Sequence, residues 1–196
     1  HMNVGEKLYA KWEGRTHTIT LDAMNASPTT QVTVQYGMIY SLPTPERAGY
    51  KFEGWFTEEE GGTQIKNGSL FKDESWITDH VKDKLTDELT PCDHTLYAQW
   101  TPLTYTVSFN GNGSTETIKA RKVIFGKPYS LSITGTNVPL PEPEREGYTF
   151  GGWFLKETDE DPVEDTTLVN VPNDHTLIAR WHANTAIITF DPNGGR

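Results

Sequence analysis

Apolar residues in this chain alternate with polar ones over short runs. Ile19 and Leu21 alternate with threonines in "HTITLDAMN", and Val107 and Phe109 alternate with Thr106 and Ser108 in "YTVSFNGNG". That is the period of strands with one face on a core. "QVTVQYG" and "RKVIFG" supply further strands, each ending at a glycine, Gly37 or Gly126, suited to a turn. The Asn-Gly-rich "NGNGST" favours a hairpin. In "LPTPERAGY" and "LPEPEREGY" the paired prolines block a continuous strand or long helix, leaving room for one helical turn that Gly49 or Gly147 would end. The octapeptides "GYKFEGWF" (Gly49–Phe56) and "GYTFGGWF" (Gly147–Phe154) follow. Tyr50 and Phe52 share a strand face, but Trp55 falls out of phase just after Gly54, which predicts a bulge or close backbone approach there. The closing run "HTLYAQW" (His94–Trp100) puts Leu96, Ala98 and Trp100 on one face and Tyr97 and Gln99 on the other.

The same order of pieces occurs twice. "HTLIARW" at His175–Trp181 matches the closing run, and "EKLYAKW" at Glu6–Trp12 is a third copy; "AIITFDPNGG" from Ala186 is a third opening strand. A recurring unit of this kind is structural, because each copy needs its own core. The expected organisation is residues 1–15 as the closing strand of a preceding repeat, with "HM" a cloning remnant; 16–100 as a first complete repeat; 104–181 as a second; and 185–196 as the opening strand of a following one. Each terminal strand is expected to lie along a neighbouring complete repeat or to pair with another molecule. Tyr50, Phe52, Trp55 and Trp100 form the expected core of the first repeat, and Tyr148, Phe150, Trp153 and Trp181 that of the second, since buried rings supply the largest area per residue.

One segment has no counterpart. "KDESWITDHVKDKLTDEL" spaces Ile77, Val81, Leu85 and Leu89 four residues apart between charged residues, which predicts an amphipathic helix at about 72–90, inserted in the first repeat and stopped ahead of Pro91. Trp76 and His80 form a neighbouring stripe. Five tryptophans recur with the repeat and Trp76 does not, which makes Trp76, with His80 and the outward Tyr97, the candidate partner contact.

Composition narrows the function classes. Among 196 residues, 27 acidic side chains against 17 basic give a net charge of −10. This argues against general electrostatic attraction to nucleic acid or an anionic membrane. The longest apolar runs are too short to span a bilayer as a helix. A single cysteine, Cys92, excludes an internal disulfide. The acidic run "ETDEDPVED" (Glu157–Asp165) lacks the glycine and ligand order of an EF-hand and reads as a solvated loop. His94 and His175 precede the closing strands, suggesting a turn or capping role, and no histidine pair has zinc-ligand spacing. Neither a nucleophile elbow nor a phosphate-binding loop is present, so no catalytic residue, metal or cofactor is expected.

The threonine-rich strand, the N-G or P-N-G-G turn, "LPxPxRxGYxFxGWF" and the closing "TLYAxW" together resemble the Listeria–Bacteroides repeat, also called the internalin-type B repeat, over nearly the whole chain. The resemblance implies small β-grasp, ubiquitin-like domains strung along surface proteins of bacteria and some mucosal protists. With the inserted helix, the expected fold class is α+β and strand-rich. The resemblance also implies a non-enzymatic stalk or spacer with a role in adhesion, located outside the cell and anchored through regions beyond this chain. Its implied partners are host or neighbouring surface proteins and adjacent repeats; a glycan-binding module using exposed rings is the alternative. Three departures stand out: the insertion, the long "SLSITGTNVPLPEP" ahead of the second octapeptide, and "LDAMNASPTT", which lacks the usual double glycine.

Overall fold

The computed structural model describes residues 9–11, 13, 16–26, 28–71, 94–190 and 193. The chain divides into two compact units, one of His1–Arg47 with Lys51–Thr101 and the other of Ala48–Tyr50 with Pro102–Arg196. The first sheet holds β1 (Thr16–Asp22), β2 (Thr30–Gln35), β3 (Tyr50–Phe56), β4 (Gln64–Ile65) and β5 (His94–Pro102), in the order β2-β1-β5-β3-β4. The second holds β6 (Thr104–Asn110), β7 (Arg121–Ile124), β8 (Tyr148–Phe154) and β9 (His175–Ala183), in the order β7-β6-β9-β8. In each, the opening strand pairs antiparallel with the next strand and parallel with the closing strand, with Leu21 opposite Leu96 and Phe109 opposite Leu177.

The fold-class expectation is corrected here. The described residues form strands, turns and irregular segments and contain no helix, so they are all-β and not α+β. The inserted helix expected at about 72–90, with Trp76 and His80, lies outside the described residues. Where a β-grasp domain would carry a helix between its second and third strands, residues 41–47 and 139–145 run without regular structure. Prolines spaced two apart, Pro43 and Pro45 in the first segment and Pro139, Pro141 and Pro143 in the second, explain this. Each lacks an N–H, fixes its own φ and pushes the residue before it into an extended conformation.

An extended proline segment has few backbone bonds of its own and must be held by side chains. The indole N–H of Trp55 donates to the Pro43 carbonyl at 2.8 Å, and that of Trp153 to the Pro141 carbonyl at 2.7 Å. Leu42 N donates to Asn67 Oδ1 at 2.9 Å, and Leu140 N to Asp165 Oδ1 at 2.6 Å. In the second unit Arg121 adds a third tie, its guanidinium donating to the carbonyls of Tyr129, Val138 and Pro139. This holds the long stretch ahead of the second octapeptide. Burial there lowers the Arg121 pKa, opposed by the nearby Asp165 carboxylate.

Both octapeptides do the same work. Phe52 packs on Trp55 and Trp100, with centroids 5.7 and 5.3 Å away; Phe150 packs on Trp153 and Trp181, both at 5.5 Å. A second indole tie closes each unit, Trp100 Nε1 to Ala23 O at 3.1 Å and Trp181 Nε1 to Gly111 O at 3.0 Å. The β8–β9 register shifts between Phe150 and Trp153, as the out-of-phase tryptophan predicts. Gly152 supplies the positive φ (+108°) at that shift. Ile19, Leu21 and Leu96 fill one core and Val107, Val123 and Leu177 the other.

At the margin of the second core lies a polar pair that the sequence pattern does not announce. His175 Nδ1 lies 2.9 Å from the Asn173 carbonyl, which can only accept, so Nδ1 carries the proton and Nε2 accepts from the Tyr129 hydroxyl at 2.8 Å. His175, half-buried, thus bonds back into the turn ahead of β9 and at the same time holds Tyr129. Of the expected terminal strands, the one at residues 1–15 lies mostly outside the described residues. Residues 185–190 lie in no strand, with Ile187, Ile188 and Phe190 exposed.

Two measurements check this account. Trp153→Phe keeps a ring in the core but leaves the Pro141 carbonyl without its donor, so guanidinium unfolding should show a loss of about 1–3 kcal/mol. Tyr129 titrates near 10 when unfolded and is pushed up to about 12 by burial in the fold. Its contribution is therefore fully present below pH 10 and lost as pH rises toward 12. Tyr129→Phe should cost about 1 kcal/mol at neutral pH and fall less steeply than the parent across that alkaline window in pH-dependent melting.

Candidate functional site

Of the three candidate contact residues, the structure places only Tyr97, because Trp76 and His80 fall outside the described residues. Tyr97 is half-buried on β5, on the face opposite the buried Leu96 and Ala98. It lines an open cleft of about 390 Å³ with Glu58, Glu59 and Glu60. That loop is held by the neighbouring outward residue: Gln99 Nε2 donates to the carbonyls of Glu58 at 3.2 Å and Gly61 at 2.8 Å. A ring therefore sits beside three carboxylates on a fixed loop. Such a site can stack on an apolar or sugar face and accept hydrogen bonds around it.

The matching position in the second repeat shows how the β5 and β9 outer face is used. Arg180 stands where Gln99 stands, stacks over the Phe154 ring with its guanidinium carbon 3.6 Å from the centroid, and donates to the carbonyls of Lys156 and Glu157. In both units, then, this side chain ties the loop after the octapeptide to the closing strand. In the second unit that loop is the start of the acidic run, where Asp159 Oδ2 caps Lys156 N at 3.0 Å. Among the described residues, no group of three or more His, Cys, Asp or Glu side chains is placed to hold a metal ion.

A second surface was missed by sequence reasoning. Tyr148, assigned to the core of its repeat, is 37% exposed and belongs to no core cluster. It is the first residue of β8, just past the Gly147 turn, where the sheet ends. The Arg145 guanidinium covers its ring at 3.9 Å, and Arg145 Nη1 donates to Asn112 O at 3.1 Å. Tyr148, Arg145, Phe150 and Trp181 line a groove of about 660 Å³ rimmed by Glu142, Glu144 and Glu146. Arg47 makes the matching bond to Met24 O at 3.3 Å. Met24, Asn25 and Asn112 all have positive φ, so the turn after the opening strand is left-handed in both units even where the glycine pair is missing. The recurring arginine in "LPxPxR" was the available signal.

The geometry agrees with the sequence comparisons. The chain matches the Listeria-Bacteroides repeat domain over residues 17–78 and 105–180. It is 32% identical over 191 residues to an Evansella cellulosilytica protein named as a membrane protein, covering 96% of this chain and 24% of that one. A second protein of the same organism, named as a Gly-rich membrane protein, is 31% identical, with 96% of this chain and 19% of that one covered. Internalin H of Listeria monocytogenes is 31% identical over 164 residues, 83% of this chain and 25% of that protein. The chain spans about a quarter or less of the length of these relatives. Two domain matches, one in each repeat and each containing the tryptophan that holds its proline segment, make the chain a member of the Listeria-Bacteroides repeat family.

Proposed function

We propose that the chain is a non-enzymatic repeat module of a cell-surface protein, a spacer that carries a recognition region away from the envelope. One observation supports this most directly: the side chains at matching positions of the two repeats are engaged in holding their own unit together. Trp55 and Trp153 hold the proline segments, Trp100 and Trp181 close the turns, and Gln99 and Arg180 tie the loops. Catalysis would need polar groups converging on a reacting atom, and these converge on backbone carbonyls. The names of the relatives, among them an internalin and two membrane proteins, support a location at the cell surface. The net charge of −10 suits a soluble stalk.

The alternative is a glycan-binding module, favoured by the Tyr97 ring beside Glu58, Glu59 and Glu60. Purified chain applied to a broad glycan array and to host cells distinguishes the two. The spacer reading expects no binding by the parent, Trp76→Ala or Tyr97→Ala. Saturable binding that a folded Tyr97→Ala variant loses would replace it with the glycan reading.

A further inference from the structure

One stretch of the second repeat has no counterpart in the first and no part in its core. Tyr40, Ser41 and Leu42 of the first repeat match Tyr129, Ser130 and Leu140 of the second, so residues 131–139 are extra. They form a hairpin. Leu131 and Asn137 make a β-bridge, Ser132 N donates to Thr136 O at 2.9 Å, and Val138 N donates to Ser130 O at 2.7 Å. Gly135 supplies the positive φ (+81°) at the tip, where the Ser132 hydroxyl lies 2.8 Å from those of both Thr134 and Thr136. Arg121 holds the base through the carbonyls of Tyr129, Val138 and Pro139. A hairpin fixed at tip and base presents its side chains already arranged, which lowers the entropic cost of binding to them.

The apolar side chains of this hairpin are not used by the fold. Ile133 is 56% exposed and Val138 46%, and neither they nor Leu131 belongs to the core cluster of the unit. With Tyr129 they line a hollow of about 270 Å³, whose other wall is Arg121 and Lys122 of β7, the outer strand of that sheet. Small-molecule pockets run from roughly 300 to 1,000 Å³, so this one suits a single side chain better than a cofactor. Its charge opposes that of the chain. Among the described residues neither Arg121 nor Lys122 forms an ion pair, and no acidic residue lines the hollow, although the chain carries a net charge of −10. Asp165 offsets part of the Arg121 charge from outside the hollow, which leaves Lys122 as the principal cation. Lys122 is exposed, and its ammonium gives one donor to Thr106 Oγ1 at 2.9 Å and keeps the others for solvent.

We infer that the inserted hairpin and β7 form a docking site for a protein segment that carries one aliphatic or aromatic side chain beside a carboxylate. The apolar side chain fills the hollow against Leu131, Ile133 and Val138, and the carboxylate meets Lys122. Burial of the apolar group supplies most of the affinity. The cation decides which partner is accepted, because an acidic chain repels carboxylates over most of its surface and admits one where Lys122 stands. The first repeat folds without residues 131–139, so this loop is free to vary on a scaffold that does not depend on it. The inference goes beyond the spacer reading, which concerns positions that recur between the repeats, and either can fail without the other.

The experiment is selection of a random-peptide phage library on the immobilised full chain, followed by fluorescence titration of the selected peptide in solution. Selected sequences should place Leu, Ile, Phe or a similar residue next to Asp or Glu. Ile133→Ser and Lys122→Glu, both at exposed positions, should each weaken that peptide at least roughly tenfold. Binding to the parent should also weaken as salt rises from about 0.05 to about 0.5 M. A third variant joins Ser130 directly to Leu140, as Ser41 joins Leu42, and should lose binding while near-ultraviolet circular dichroism shows that its cores persist. Enrichment of basic sequences, or a peptide whose affinity survives Ile133→Ser, would overturn the inference. Selection that enriches no peptide would do the same, and saturable octanoate binding in its place would assign the hollow to a small amphipathic carboxylate.

Discussion

The fold depends on how each repeat holds a stretch of backbone that cannot hold itself. Between the second and third strands of each unit the chain crosses as an extended proline segment, with neither helix nor ladder to satisfy its carbonyls. One indole N–H, from Trp55 or Trp153, supplies the missing donor from inside the core. The same ring fills the space beneath the segment, being 4% exposed in one unit and 1% in the other. A buried tryptophan is worth roughly 4–6 kcal/mol by area. The hydrogen bond contributes less but fixes where the segment lies, and with it where Leu42 and Leu140 enter. The bulge follows from this demand, because an indole that must reach a particular carbonyl cannot keep the strand's phase.

Much of this was legible in the sequence, for identifiable reasons. Strand periodicity marked Ile19, Leu21, Val107 and Leu96 because a two-residue period has few other meanings. Recurrence marked the tryptophans as structural, and their phase marked the bulge. Other features were hidden by distance or by parity. Tyr129 and His175 are 46 residues apart, and nothing local to either announces the other. Tyr148 shares its phase with Phe150, yet a strand's first residue can lie beyond the core that its successors cover. The proline pattern alone leaves room for a helical turn, whereas the constraint on each residue preceding a proline carries the whole stretch into extended backbone.

The repeats also show which positions tolerate different chemistry for the same task. Gln99 and Arg180 both tie the loop after the octapeptide, one by an amide and the other by a guanidinium that also stacks on Phe154. Asn67 and Asp165 both accept from a leucine N–H. Met24, Asn25 and Asn112 all enter the left-handed region that glycine adopts most readily. The geometry of the bond is kept in each case and the donor or acceptor group varies. A search for identical residues would overlook these positions.

The parallel pairing of first strand with last sets how such a unit assembles. Trp100 reaches back 77 positions to Ala23, and Trp181 reaches back 70 to Gly111. Closing a loop costs free energy that rises only with the logarithm of its length, so these two closures differ by about 0.1 kcal/mol. The first repeat can therefore carry extra sequence ahead of its closing strand at almost no entropic cost. A fold closed this way must wait for its final strand, and contacts so far apart in the chain make for slow folding. On the ribosome, each repeat would remain an open sheet until its closing strand emerged, and could then form as a whole.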